Sequence, residues 1–158
     1  MIRLKTIVAV ACLAALPALA DQARVPAKPN APWQEECASC HLAYPPSLLS
    51  AQNWRQMMQG LDRHFGANAE LDAKTRDEIL AFLERNASTR WGKNSAESLR
   101  ITDTPWFRRK HDEVPQRVWT DPKVKSAANC AACHRSAAQG NYDEDDLALP
   151  VVAGGRTR

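Results

Sequence analysis

Cys37-Ala38-Ser39-Cys40-His41 and Cys130-Ala131-Ala132-Cys133-His134 are two copies of one pattern, C-x-x-C-H, in a chain of 158 residues. This pattern is the attachment signature of a c-type haem. Two thiols a helical turn apart reach the two vinyl groups on one porphyrin edge, and the adjacent histidine swings beneath the ring to bind iron. At this chain's own Cys and His frequencies one match is expected by chance about 0.004 times, so a pair is no accident. Other uses of four cysteines account for less. A disulfide across a two-residue gap is strained and leaves both histidines unexplained. A zinc site from two C-x-x-C pairs belongs mostly to reducing compartments and leaves the same histidines idle. A thioredoxin-like motif needs a βαβ setting, which the sequence does not offer.

The fifth cysteine, Cys12, falls in a segment expected to be removed. Met1 to Lys5 is a short basic stretch, Thr6 to Leu16 is apolar, and Ala18-Leu19-Ala20 is a small-residue cleavage site, together a secretory signal over residues 1–20. The Ala9-Val10-Ala11 before Cys12 lacks the Leu of a lipoprotein signal. Removing Arg3 and Lys5 leaves 138 residues with 19 basic against 18 acidic. Such a balance argues against a nucleic-acid partner. No later segment is apolar for the length of a bilayer crossing, so a soluble periplasmic protein without stable membrane insertion is expected, and a monomer. With 44% hydrophobic, 6% aromatic and 10 Pro, the apolar core looks thin for this length. Two porphyrins would fill it, and their four propionates would bring the mature charge from +1 to about −3.

Histidine arithmetic extends the pattern to the iron. The chain has 4 His. His41 and His134 adjoin the cysteines as proximal ligands, leaving His64 and His111 for two six-coordinate irons, with none to spare. Methionine is the usual alternative, and Met57 and Met58 compete by residue type for the first haem, although core packing is their expected role. No Met follows residue 58, so the C-terminal haem has no His/Met option within its own half. A crossed pairing of His64 and His111 would satisfy the same count.

Order along the chain separates two halves. Asp72 caps an expected helix to about Ala87, with Ile79, Leu80, Phe82 and Leu83 as its apolar stripe, and a helix is expected from about Gln52 to Leu61. In a small single-haem cytochrome c the attachment helix comes first, the distal ligand follows on a loop and a closing helix packs across the first. Residues 33–41, 64 and 72–87 fall in that order, which assigns His64 to the first haem. In the second half Thr104-Pro105 starts a short helix ending near His111, Asp121-Pro122 repeats the start signal, and Ser126 is a cap for a helix carrying the second motif. His111 precedes Cys130 by nineteen residues, so the distal ligand comes before the attachment site and the topology differs from the first half. The polar stretch Arg90-Trp91-Gly92-Lys93-Asn94 marks the boundary. The expected fold is mainly α, with two small haem-binding domains, 21–88 and 89–158, the first similar to class I cytochrome c and the second of different topology.

Several features rank below these. Ala43-Tyr44-Pro45-Pro46-Ser47-Leu48-Leu49 reads as an extended loop along the porphyrin edge. The five Trp suit haem contact or ordinary packing equally. Asp143-Glu144-Asp145-Asp146 lacks the spacing and Gly of a calcium loop and reads as solvated surface, or as a dipolar docking face together with Arg108-Arg109-Lys110.

Glu36 to Pro46, Thr104-Pro105-Trp106-Phe107 leading to Lys110-His111, Asn129 to His134, and Asp143 to Asp146 together resemble the periplasmic dihaem cytochrome c family. The resemblance runs over nearly all of the mature chain. It implies two covalently bound haem c groups, bis-histidine ligation by His41 with His64 and by His134 with His111, and attachment through Cys37, Cys40, Cys130 and Cys133. It also implies electron donation to an oxygen-binding monohaem cytochrome, the sphaeroides haem protein, with a membrane cytochrome b as a candidate donor.

The function expected is electron carriage without catalysis. Two imidazoles saturate each iron, leave no position for oxygen or peroxide, and disfavour the high potentials that Met ligation supports. No acid–base or nucleophilic apparatus stands in the sequence. A dihaem peroxidase would need an open or displaceable ligand. An electron-transfer subunit of a periplasmic reductase of the nitrate reductase type would share the bis-histidine haems and differ by copurifying with a molybdenum subunit.

Overall fold

Asn30 opens the first element: its side chain accepts from the Trp33 N–H at 2.8 Å, with Pro in the first turn, and helix α1 runs Ala31–Cys37. The structure, a computed structural model, describes residues 26, 28–89 and 98–148. The expected signal segment and the boundary stretch at 90–94 lie outside the described residues. Helix α2 (Ala51–Gln59) is capped by Ser50, and α3 (Ala73–Arg85) by Asp72, which accepts from the Lys74 and Thr75 N–H groups at 3.0 and 3.1 Å. Both agree with the expected helices, two residues short at the C-terminal ends because Gly60 and Asn86 leave helical geometry there.

Helices α1 and α2 both pack on α3. Their shared face holds Trp33, Leu49, Trp54, Met57, Met58, Ile79, Phe82 and Leu83, and Ile79 is fully shielded from solvent. Trp33 and Phe82 meet with ring centroids 5.2 Å apart. Met57 and Met58 sit inside this cluster, 9% and 4% exposed, in the packing role expected of them. The 43–49 segment is less extended than its prolines suggested. It turns into a short 3-10 helix at Pro46–Leu48, with Pro45, Pro46 and Leu49 buried and the Trp54 indole N–H donating to the Pro46 carbonyl at 2.7 Å.

The second half is built differently. Thr104 caps α4 (Pro105–Lys110), accepting from the Phe107 N–H at 3.2 Å while its hydroxyl donates to the Ile101 carbonyl at 2.7 Å. Helix α5 (Gln116–Trp119) is one turn. Its core cluster has two buried members, Val118 and Val124, against which Val114, Trp119 and Ala132 pack. No strand occurs among the described residues; His64 with Ala67 and His134 with Leu147 form isolated bridges. Leu99 and Ile101, beyond the expected boundary, pack on the first cluster, and the Asn53 amide donates to the Ser98 carbonyl at 2.9 Å.

Two expected helices do not form. Asp121-Pro122 closes a single turn, with Val124 and Lys125 N–H groups on the Asp121 carbonyl, and Lys125 then takes φ 70°, which no α-helix continues through. Ser126 caps no α-helix. The Asn129 side chain reaches back to the Val124 carbonyl at 2.9 Å, and the motif follows as one 3-10 turn, Cys130–Ala132.

Candidate haem sites

The first site forms where α1 ends. Helical geometry stops at Cys37, Ser39 donates to the Glu36 carbonyl at 2.8 Å, and a turn through Cys40 delivers His41. The His41 Nδ1 lies 2.7 Å from the Leu42 carbonyl. A carbonyl only accepts, so Nδ1 carries the proton and Nε2 keeps its lone pair for a metal. Across from it, the 3-10 turn Leu61–Arg63 ends in His64. The backbone reverses at once through Phe65 (φ 50°) and Gly66 (φ 101°), so that Ala67 N–H returns to the His64 carbonyl at 3.0 Å. The two imidazoles face each other with centroids 6.0 Å apart and planes 25° apart.

The second site has the same parts in another order. His111 ends α4, and its Nδ1 donates to the Phe107 carbonyl at 2.9 Å, fixing the same tautomer as in His41. Phe107 lies flat under it at 4.1 Å, and Trp119 stands edge-on at 5.8 Å. The second motif presents His134, whose ring is 6.2 Å from that of His111 at an interplanar angle of 80°. A return segment holds His134 in place: Arg135 N–H bonds to the Asp146 carbonyl, and Ala148 N–H to the Cys133 carbonyl at 2.7 Å. The acidic run thus straps the motif from outside, with Glu144 and Asp145 exposed and Lys110 3.9 Å from Glu144. Beside His111 a cleft of about 510 Å³ opens, lined by Phe107, Trp119 and Lys125 among others.

These residues fit an iron porphyrin. Imidazole nitrogens about 2 Å from a metal on opposite sides place ring centroids about 6 Å apart. The separations of 6.0 and 6.2 Å match it in both pairs. His64 Nδ1 and His134 Nδ1 are buried with no hydrogen-bond partner among the described residues, so no carbonyl fixes the tautomer of either ring as it does for His41 and His111. Burial also holds His64, His111 and His134 below the ordinary imidazole range, which keeps them neutral as ligands must be. The four cysteines form no disulfide, and no group of three or more His, Cys, Asp or Glu converges as a metal cluster among the described residues. Burial pushes the Cys37 and Cys130 thiols up to about 11, the opposite of a reactive redox cysteine.

All eight site residues expected from the sequence therefore fall in two groups, Cys37, Cys40, His41 with His64, and Cys130, Cys133, His134 with His111. The sequence offers Phe107 only within the family pattern and Trp119 only among the five Trp, so their shelf around His111 is a finding of the structure. Its signal was present, since Phe107 and His111 stand four apart on one helix face.

Comparison with known proteins agrees with this geometry. The family pattern described as dihaem cytochrome c matches residues 33–142. Among solved structures, the diheme cytochrome c from Rhodobacter sphaeroides is 40% identical with a TM-score of 0.64, over 72% of this chain and 96% of that one. The diheme cytochrome type c from Shewanella baltica OS155 is 40% identical with a TM-score of 0.69, over 78% and 94%. Among curated proteins nothing matches.

Proposed function

The chain belongs to the dihaem cytochrome c family, with two covalently bound c-type haems and a role in electron transfer, and we propose that it relays single electrons in the periplasm through two bis-histidine irons. The observation that carries this is the pair of facing histidines, His41 with His64 and His134 with His111, at one metal's width. The haems supply the ferric/ferrous couple. Cys37 and Cys40, and Cys130 and Cys133, anchor one porphyrin edge in each half. His41 and His111 present Nε2 because their Nδ1 protons are held by the Leu42 and Phe107 carbonyls. Held by imidazole from both sides, each iron would keep no open position for small ligands, and neither half would need acid–base groups. Electron carriage without catalysis follows, and no helix of the described residues is long and apolar enough to cross a membrane.

The partner proposed is an oxygen-binding monohaem cytochrome, with a membrane cytochrome b as donor, supported by the family resemblance. Low-temperature electron paramagnetic resonance of the ferric protein tests the ligands. His64→Ala and His111→Ala should each abolish one low-spin species and leave the other; two unchanged species in either variant would overturn the assignment. Rapid mixing of the reduced protein with the monohaem cytochrome tests the partner, a failure to exchange electrons counting against it.

A further inference from the structure

Arg100 lies beyond the expected domain boundary, yet its side chain belongs to the first site. The guanidinium sits 4.1 Å from the centroid of the Phe65 ring, and that ring meets the His64 imidazole at 4.9 Å with planes 56° apart. Phe65 is 44% exposed at a left-handed φ of 50°, so the reversal after His64 leaves its ring as a surface platform, which Arg100 covers. The backbone on either side holds Arg100 in place. Leu99 and Ile101 pack on the first core, and the fully shielded Asn53 donates to the Ser98 carbonyl at 2.9 Å. Arg100 N–H donates to Ser98 Oγ at 3.2 Å, and its carbonyl accepts from Asp103 N–H at 3.0 Å. Arg100 forms no ion pair among the described residues, Asp103 being paired with Arg108.

We propose that Arg100 is a positioning residue for electron transfer, a fixed positive charge beside the distal ligand that favours the ferrous state of the first iron over that of the second. This rests on His64 being the first iron's ligand, as proposed above. Reduction adds one negative charge to a haem, so a nearby cation stabilises the reduced form and raises its potential. One electron is redistributed. The second iron goes from ferrous to ferric and the first from ferric to ferrous, and no bond forms or breaks. The reach of the charge shows at His64, whose imidazole is lowered by burial, then by His41 and then by Arg100. At the second site, after burial, nearby charges act in opposite directions, Lys110 lowering His111 and Asp146 raising His134. Arg100 is exposed, and solvent screening keeps the effect modest.

The test is a potentiometric titration of the full-length, haem-loaded protein, with each low-spin ferric signal followed separately by electron paramagnetic resonance. The signal lost in His64→Ala identifies the first iron. Arg100→Gln should lower that iron's midpoint alone and shift the electron distribution between the irons about threefold, roughly 28 mV at about 59 mV per tenfold. Arg100→Glu reverses the charge and should shift it about tenfold, whereas Arg100→Lys keeps the charge and should titrate as the parent. Raising the salt concentration should shrink these differences. Unchanged midpoints in both Arg100→Gln and Arg100→Glu overturn the proposal and leave bis-histidine ligation standing. An equal fall at both irons overturns it too, as does a fall in Arg100→Lys as large as in Arg100→Gln, because packing on Phe65 rather than charge would then set the potential. Two unchanged low-spin signals in His64→Ala would instead remove the ligand assignment, and the proposal with it.

Discussion

Met58 and His64 were the competing ligands for the first iron, and they differ in what surrounds them. Met58 lies among Trp33, Ile79 and Phe82 in a closed apolar cluster, where a flexible thioether fills irregular space. His64 instead leaves its turn to face another imidazole at 6.0 Å. Met58→Ala should accordingly cost about 2–5 kcal/mol of stability, as for other buried large-to-small changes, and leave both low-spin ferric signals in place. A denaturant titration and the resonance spectrum of that variant check the two halves of the expectation. A lost low-spin signal would return Met58 to the iron. Phe65 and Arg100 complete the neighbourhood, the guanidinium lying 4.1 Å from the ring centroid and thereby covering the outer side of His64's neighbour.

At the scale of elements the first half follows its local signals and the second does so only in part. Asp72, Ser50 and Asn30 each cap a helix whose apolar face meets its neighbours, so propensity, capping and packing agree. Thr104 does the same for α4 and is 2% exposed. Its hydroxyl holds both the Phe107 N–H and the Ile101 carbonyl, so Thr104→Ala should lower stability by about 1–2 kcal/mol. The consequence should show at His111, which ends that helix: thermal melting monitored at the haem band is expected to fall, and an unchanged melt would remove Thr104 from this role. Around Cys130 the start signals at Asp121 and Ser126 were real, since Asp121 Oδ1 accepts from Lys123 N–H at 2.9 Å and Ser126 Oγ from Ala128 N–H at 3.2 Å. They close turns without starting helices, because Lys125 leaves right-handed geometry and Asn129 ties itself back to Val124.

Among the described residues the apolar core is unequal. Eight buried residues join three helices in the first half, and two valines centre the second. The second half should therefore depend more on its porphyrin. The same dependence sets the response to acid. Burial is the main cause holding His64, His111 and His134 below the ordinary imidazole value of 6.5, with His41 and Arg100 adding to it electrostatically at His64. The unfolded chain takes up protons near that value while the folded chain resists, so their contribution is fully present above it and declines as pH falls below it. Iron ligation acts in the same direction, because only neutral imidazole binds. Melting temperature measured from mildly alkaline to mildly acidic buffer should be level at first and then fall below about pH 6.5. A melting temperature that rises on acidification would contradict this.

Spacing along the chain was enough to read the cofactor, its attachment through Cys37, Cys40, Cys130 and Cys133, and the supply of four histidines, because covalent attachment requires residues adjacent in sequence. It was also enough for α2 and α3, where a cap and an apolar stripe are local features. The pairing of histidines was another matter. His41 and His64 are brought together by a turn that needs Gly66, and His111 and His134 by a segment that returns from Leu147 and Ala148 to strap the motif. These contacts join residues that no period relates. The Tyr44 bond to Ala128 belongs with them, since only the packing of one half against the other puts a phenol from the first site beside the backbone of the second.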